Sequence, residues 1–354
     1  ESLTLSLISH LTAEFFSKET EAQFCAFFNN IHKQSSLFSP KVMHKTIKIV
    51  NDVIQTHYIE IFNGWSQIFE FLSIDNDPEV LVKSFRIVEV IFADVIYQMP
   101  NILDGAIHLV FDYALQEIDM NIAMTAIGLL WNIHQMIKSD DIWKSLFKNL
   151  CHLIKGPQMV LSQAAHKTFF SILLGCRDEI SPEVFVYILE DIFFDMMDIS
   201  ESDYSTQQLV LLELAHSSRI MWDKFASSSK FLTIFWSDLI KKQQEFILTC
   251  DNRSALTNGF LFYEEVFNCS KLSAKHLDEI FESLNEIVDH FVAKESPNSV
   301  VFGSIGRMIR IIIPDQAPQS LQYWIPIAEK PVFGLVCEGF LPPTVHKTFD
   351  ALDT

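Results

Sequence analysis

The sequence predicts an all-α fold arranged as an α-solenoid, and three features support this prediction. Of the 354 residues, 49% are hydrophobic, which is ample for a core, whereas only 10 are Gly and 12 are Pro. So few turn-forming residues favour long helices joined by short turns over a loop-rich β fold. Apolar residues recur at three- and four-residue spacing through nearly every segment. One pattern of helix starts also returns about every forty residues.

Helix starts are marked by proline in the first turn, where its missing N–H costs nothing. Such positions are occupied by Pro40, Pro78, Pro157 and Pro182. The residues directly before three of these prolines are predicted N-caps, because their side-chain oxygens can accept hydrogen bonds from the first free N–H groups. They are Ser39, Asp77 and Ser181.

Four segments align when they are set in register at Pro40, Pro78, Asp119 and Pro157, which are separated by 38, 41 and 38 residues. Three residues into each segment stand Met43, Leu81, Ile122 and Val160, and seven residues in stand Ile47, Phe85, Ala126 and Ala164. The fourth segment then slips by a residue or two. A period near forty with two helices per unit is typical of HEAT and armadillo arrays, in which stacked hairpins bury stripes that one hairpin cannot bury alone.

We assign residues 1–313 to this HEAT/armadillo-like α-solenoid and residues 314–354 to an irregular C-terminal segment. The latter holds half of the chain's Pro residues, which breaks the hairpin pattern. It is expected either to cap the last repeat or to dock a partner through the aromatic residues Tyr323, Trp324, Phe333 and Phe340. Because the chain begins with Glu1, we also expect it to be a piece of a longer polypeptide.

Charge and cysteine content limit the classes of partner. The formal net charge is -19, and a phosphate backbone requires clustered Lys and Arg, so nucleic acid is not expected to bind. An anionic membrane would repel the chain as a whole, although a local basic strip could act there. The 6 Cys residues are widely spaced, which indicates reduced core thiols in a cytoplasmic protein. No apolar run reaches about 18 residues, so no transmembrane span is predicted.

The sequence contains no motif for catalysis, cofactor binding or metal ligation. Neither G-x-x-x-x-G-K-[ST] nor G-x-G-x-x-G occurs, and Cys and His residues lack the spacing of zinc sites. An acidic run between residues 278 and 286, beside His276 and His290, is interpreted as a solvated helix face. We therefore predict no catalytic, cofactor-binding or metal residues, and no enzymatic activity.

Tryptophan residues lie on the apolar stripes of the repeats. Trp65, Trp131 and Trp143 are predicted to be core residues, because large aromatic side chains at helical spacing contribute most to a core.

A basic strip stands out against the acidic background, and it is the candidate partner-binding site. It consists of Lys45, Lys48, Lys83 and Arg86. The first two and the last two occupy the same two positions in successive repeats. Stacking the repeats would bring them together on the second helices, which commonly line the concave face. We interpret the strip as a site for an acidic segment of a partner, or for anionic lipid headgroups. The alternative is a structural ladder of ion pairs with Asp75, Asp77 and Glu79.

Three segments of the chain carry a family resemblance. Residues 64–69, GWSQIF, are similar to a GW-x-x-I/L-F segment downstream of the catalytic Sec-seven domain in the large Arf guanine-nucleotide-exchange factors. Residues 125–133, TAIGLLWNI, more closely resemble relatives of those factors, the Mon-Two (monensin-sensitivity) family. Residues 207–215, followed by Arg219 and Ile220, are similar to a later helix. The segments occur in the family's order across residues 64–220.

Resemblance to the Mon-Two family implies a scaffold without the Sec-seven module, and hence without exchange activity. It implies peripheral association with Golgi (trans-Golgi network) and endosome membranes, and action with a Dopey-family protein, an Arf-like GTPase and a phospholipid flippase. The alternative is the regulatory downstream region of a true large Arf exchange factor. A third class, an acidic nuclear-transport carrier, is disfavoured by the Trp-containing segments.

Overall fold

The computed structural model of the chain describes residues 21–24, 26–27, 30, 39–73, 77–197, 204–225, 233, 238–269, 272–293 and 300–308, apart from 302 and 306. Within these ranges every regular element is a helix and no strand occurs, which confirms the prediction of an all-α fold. None of the helices described there is both long and apolar enough to cross a bilayer. The predicted C-terminal cap or docking segment, residues 314–354, lies outside these ranges.

The chain divides into two compact units, Glu1–Glu179 and Ile180–Thr354. From residue 39 onward, the described part of unit 1 contains the helices α1 (Pro40–His57), α2 (Trp65–Phe71), α3 (Pro78–Val90), α4 (Leu103–Leu115), α5 (Met120–Asn132), α6 (Asp140–Ile154) and α7 (Met159–Gly175). A π-helical turn, Ile91–Val95, continues α3. Short 3-10 turns lie at Tyr58–Glu60, Pro100–Ile102 and His134–Met136.

Unit 1 is built from two layers of helices. Each odd-numbered helix packs on the next odd-numbered one, from α1 through α3 and α5 to α7, and the even-numbered helices α2, α4 and α6 pack in the same way. Two hairpins, α4 with α5 and α6 with α7, connect the layers. Because contacts of this kind pass from repeat to repeat, unit 1 is a stack of helical hairpins. This is the α-solenoid arrangement that the repeat predicts.

Three of the four predicted repeat starts agree with the structure. α1 and α3 begin at Pro40 and Pro78, and α5 begins directly after Asp119. The fourth helix, α7, begins at Met159, so the predicted start at Pro157 is two residues early. The reason lies in the end of α6: the N–H of Gly156 still bonds to the carbonyl oxygen of Leu153, which leaves Pro157 in the turn.

Side-chain caps close the starts of several helices. The Asp77 carboxylate accepts hydrogen bonds from the N–H groups of Glu79 and Val80 at 2.9 and 3.2 Å. Asp119 caps α5 in the same way. The predicted cap Ser181 accepts from the Val184 N–H at 3.3 Å, whereas Ser39 stands at the cap position of α1 without a side-chain hydrogen bond. Two of the three predicted caps are therefore confirmed.

A buried carboxylate holds the turn before α2. Glu21 is buried, and its Oε1 accepts hydrogen bonds from three consecutive backbone N–H groups at 2.8, 2.7 and 2.7 Å. These belong to Phe62, Asn63 and Gly64. Three charge-assisted bonds to one oxygen offset the cost of burying the charge, and they fix the chain where it enters α2.

Two close contacts join α2 to α4 within the even layer. The hydroxyl of Tyr113 donates to the carbonyl oxygen of Leu72, just after α2, at 2.6 Å in a buried site. A Cβ added at Gly105 would lie 2.8 Å from the ring carbon Cδ2 of Phe69. Because that distance is too short for two carbon atoms, the approach of the Phe69 ring to α4 requires glycine at position 105.

The Trp prediction is correct for two residues and wrong for one. Trp65 and Trp143 are buried, but 38% of Trp131 is exposed. In the last turns of α5 the inward positions belong to Ile127 and Leu130, which are buried. Trp131 follows Leu130 directly and is turned about 100° further around the helix, which takes it off the core-facing side.

The described part of unit 2 is also helical. A short α8 (Pro182–Tyr187) leads through a π-helical turn, Ile188–Phe193, into α9 (Phe194–Met197). The longer helices are α10 (Tyr204–Phe225), α11 (Ile240–Thr249), α12 (Arg253–Phe267) and α13 (Ala274–Ala293). α10 packs on α12, and α11 packs on both α12 and α13. The side-chain amide of Gln243 donates to the Gly259 carbonyl oxygen at 3.0 Å, which ties α11 to α12.

Cysteines within the described ranges are buried and are not joined in disulfides, as predicted. They are Cys151, Cys176, Cys250 and Cys269. Burial raises the pKa of the Cys176 thiol to about 11, so this thiol stays protonated and unreactive near neutral pH.

Candidate functional site on the odd-numbered helices

The basic strip lies on two helices of the odd layer that pack against each other, α1 and α3. Lys45, Lys48 and Arg86 are exposed, and 43% of the Lys83 side chain is exposed. On each helix the two cations are three residues apart, which places them on one helical face. Lys45 and Lys83 stand six residues after the N-caps of their helices, and Lys48 and Arg86 stand nine residues after them. The four cations therefore occupy equivalent, solvent-facing positions.

The Glu79 carboxylate contacts Lys83 of the strip and the neighbouring His44. Oε2 of Glu79 lies 3.6 Å from His44 Nε2 and 3.8 Å from Lys83 Nζ. The Glu79 side chain is 75% exposed, so water screens both contacts and they stabilise the fold little.

The contact of Glu79 with Lys83 fits the alternative interpretation, a ladder of ion pairs. Asp77 caps α3, and Asp75 lies outside the described ranges. Among the described residues, Lys48 and Arg86 have no carboxylate in ion-pair contact. These two cations are thus available to an acidic group from elsewhere.

A second exposed surface lies on α5 and includes Trp131, which the sequence predicts to be a core residue. Met120, Met124 and Trp131 are 43%, 38% and 38% exposed, and the exposed Gly128 stands between the last two. Spacings of four, four and three residues place these residues along one side of the helix. We call them the α5 face. No charged residue occurs from Met120 to Asn132, so an exposed side of this helix is uncharged in a chain of which 20% is charged.

Neighbouring groups position the Trp131 ring at the surface. The ring centroid lies 4.6 Å from that of His134, and the His134 Nδ1 forms a hydrogen bond with the Trp131 carbonyl oxygen. The ring atom Cη2 lies 3.6 Å from the place where Gly175 of α7 would carry a Cβ. Trp131 therefore packs by its edges against two neighbours while part of its surface stays in water.

Gly128 leaves an open notch in the α5 face. A Cβ added there would meet no atom within 4 Å. Glycine within a helix costs about 1 kcal/mol relative to alanine. Here neither the packing nor a left-handed backbone conformation requires it. The side chains of Met124 and Trp131 stand on either side of the notch along the helix.

The acidic run of the sequence lies on α13 in unit 2. Asp278, Glu282 and Glu286 are exposed, as expected for a solvated face, and Glu279 is half-buried with Lys275 Nζ at 3.7 Å. No group of three or more His, Cys, Asp or Glu residues suited to a metal ion occurs in the part of the chain that the structure describes.

Comparison with curated proteins yields relatives, although no protein family model matches the chain. The Protein MON2 homolog of Drosophila melanogaster is 22% identical over 211 residues, and that of Homo sapiens is 20% identical over 253 residues. The aligned part of the chain is therefore related to the Mon-Two family. The alignments cover 48% and 58% of this chain but only 12% and 15% of the two Mon-Two proteins, so the chain spans a small part of their length.

Solved structures give weaker likenesses. A crystal structure of an engineered protein aligns with a TM-score of 0.36 and 12% identity, covering 72% of this chain and 98% of that chain. The C-terminal fragment of the Chaetomium thermophilum cohesin loader SCC2 aligns with a TM-score of 0.35 and 12% identity, covering 86% of this chain and 26% of the other. Both scores are below 0.5, so the α-solenoid assignment depends on the packing of the odd and even layers.

Proposed function

We propose that the chain is part of a non-catalytic scaffold for membrane trafficking at the Golgi and endosomes, and that the odd layer of unit 1 holds a partner protein. Relationship to the Mon-Two family supports the cellular role, and with it the expected partners: a Dopey-family protein, an Arf-like GTPase and flippase machinery. The observation that carries the binding role is the set of exposed cations on α1 and α3.

The strip favours an acidic protein segment as its ligand. The chain has a formal net charge of -19, so four exposed cations at equivalent positions on adjacent helices form a local exception. A carboxylate-bearing segment would gain from these cations while the rest of the surface repels other anions. Glu79 occupies one side of the strip and leaves Lys48 and Arg86 to the partner.

Charge reversal of the strip tests this proposal. The variant Lys45→Glu, Lys48→Glu, Lys83→Glu and Arg86→Glu is compared with a control that reverses Lys138, Lys148, Lys155 and Lys241, which are exposed elsewhere. In affinity purification from cells, the parent chain and the control are expected to recover a Dopey-family protein, and the strip variant is expected to lose it. Equal recovery by the strip variant would rule out the strip as the binding surface.

Vesicles test the lipid alternative separately. In flotation with vesicles containing phosphatidylserine, the acidic-segment proposal expects no difference between the parent chain and the strip variant. Flotation of the parent that is lost in the strip variant would instead identify anionic headgroups as the ligand.

A true Arf exchange factor is the second candidate, because its downstream helical regions share the segments quoted above. The presence of a Sec-seven domain in the same polypeptide discriminates the two. A Sec-seven domain there would make this chain the regulatory region of an enzyme, and exchange on an Arf GTPase would then be measurable with the full-length protein.

A further inference from the structure

We infer that the α5 face is an anchor site for one bulky apolar side chain of an acidic partner segment, which crosses the odd layer from α3 to α7. The inference rests on the proposed function, since it assumes that the odd layer is the partner-binding side. It adds a position, a residue type and a spacing for the bound segment.

The notch at Gly128 provides the place for the anchor. Methionine has a flexible apolar side chain and tryptophan a broad one, and both recur at protein interfaces. Met124 and Trp131 flank a stretch of helix surface where no side chain stands, so a partner side chain could reach the backbone between them. Glycine is the residue that permits such close approach, and this role accounts for a helix-interior glycine that packing does not require.

Cations flank the notch on both neighbouring helices. Gly128 stands nine residues after the N-cap of α5. The corresponding residues are Arg86 on α3 and Lys167 on α7, and both are exposed. Short connections make consecutive helices antiparallel, so the odd-numbered helices all run in the same direction. Residues at the same distance from their N-caps therefore lie side by side on neighbouring odd-numbered helices. Arg86, the notch at Gly128 and Lys167 therefore form a row across three packed helices, with a cation on either side of the notch.

The spacing of this row identifies the occupant. Packed helices lie about 8–10 Å apart, and an extended chain advances about 3.3 Å per residue. A peptide with its apolar anchor at the notch would thus bring its side chains three residues before and three residues after the anchor to Arg86 and Lys167. The charge complementarity selects a segment with acidic residues at these two positions.

The test uses synthetic peptides and the whole chain. The probe is fluorescein-labelled Ser-Asp-Asp-Ser-Ser-Trp-Ser-Ser-Asp-Asp-Ser, with versions in which Leu or Ala replaces Trp. A peptide of the same composition, Ser-Ser-Ser-Asp-Asp-Trp-Asp-Asp-Ser-Ser-Ser, controls for spacing. Fluorescence anisotropy is expected to show that the Trp and Leu peptides bind about tenfold more tightly than the Ala peptide, and that the respaced control loses a similar factor.

Two variants of the chain, each with a control variant, make the test specific. Gly128→Leu adds apolar area but fills the notch, so it is expected to weaken binding of the Trp peptide about tenfold. Nonspecific hydrophobic binding would instead become stronger in this variant. Gly128→Ala serves as a folding control by thermal denaturation, because its Cβ meets no neighbour. Arg86→Glu with Lys167→Glu is expected to weaken binding and its salt dependence, and Lys148→Glu on the even layer is expected to leave both unchanged.

The outcomes separate this inference from the proposed function. Loss of peptide binding on charge reversal, with no effect of Gly128→Leu and no preference for Trp over Ala, overturns the anchor site and leaves the strip standing. Binding that survives both changes overturns the anchor site, and the strip is then judged by affinity purification with its own four-fold variant. Dimerisation in sedimentation velocity that Gly128→Leu abolishes would make a second copy of the chain the occupant, and would overturn the acidic segment.

Discussion

The two layers of unit 1 use their side chains for different purposes. The even layer is joined by buried, directional contacts: the Glu21 carboxylate before α2, the Tyr113 hydroxyl between α4 and α2, and the Phe69 ring against Gly105. The odd layer carries exposed cations on α1 and α3 and exposed apolar groups on α5. A solenoid of this kind can change the exposed residues of one layer at little cost, because these side chains take little part in the packing between repeats.

Removal of the buried carboxylate is expected to have the largest effect. Glu21→Ala leaves three buried or half-buried N–H groups without their acceptor, so the free energy of unfolding should fall by about 3 kcal/mol. Urea denaturation measures the loss, and faster hydrogen exchange at the amides of residues 62–64 locates it. Glu117→Ala, at an exposed glutamate, is the control and should change little. Equal stability of the two variants would show that the even layer does not depend on this contact.

A methyl group between α2 and α4 is expected to have the next largest effect. Gly105→Ala places a carbon about 2.8 Å from the Phe69 ring, so the ring or the helix must move. Overpacking of this kind costs about 1–3 kcal/mol. Thermal denaturation followed by circular dichroism measures it. An unchanged melting temperature would mean that the Phe69 ring turns away freely and that the even layer is looser than its contacts indicate.

Loss of one hydroxyl tests the hydrogen bond in the same layer. Tyr113→Phe removes the donor to the buried Leu72 carbonyl oxygen and should cost about 1–2 kcal/mol. Tyr97→Phe, on an exposed tyrosine, is the matched control, and urea denaturation compares the two. If both variants lose the same stability, the effect comes from the residue type and not from the tie between α2 and α4.

The smallest expected effect has the opposite sign and belongs to the odd layer. Gly128→Ala should raise the free energy of unfolding by about 0.5–1 kcal/mol, since alanine favours the helix and its Cβ meets nothing within 4 Å. A small rise in melting temperature checks this. Destabilisation by Gly128→Ala would remove the distinction between the two layers, because it would show that position 128 is also closely packed.

Much of the fold follows from local features of the sequence. The starts of α1 and α3, the caps at Asp77 and Ser181, and the repeat spacing depend on residues close to one another in the chain. The start of α7 is harder to predict, because the end of α6 extends into its turn. Glu21 shows most clearly what local sequence cannot predict. Its hydrogen-bond donors lie 41 to 43 residues away, and nothing in the sequence around them indicates that their N–H groups bond to this carboxylate.

The candidate site is predicted in part for the same reason. Exposure of Lys45, Lys48 and Arg86 follows from their charge and their register on amphipathic helices. Exposure of the α5 face cannot be predicted in this way, because α5 is apolar on more than one side. Its hydrophobic pattern does not indicate whether Leu130 or Trp131 faces the core. Only the packing of α5 against α4 and α7 decides this.

Partial exposure of Trp131 has a spectroscopic consequence. Indole emission shifts to longer wavelength in water, so Trp131 should fluoresce to the red of the buried Trp65 and Trp143 and should be more accessible to a quencher such as acrylamide. Trp131 is therefore an optical reporter next to the Gly128 notch, although the chain holds 6 Trp residues in all. A blue shift and reduced quenching on addition of an unlabelled, tryptophan-free ligand, both absent in the variant Trp131→Phe, would record occupancy of the notch.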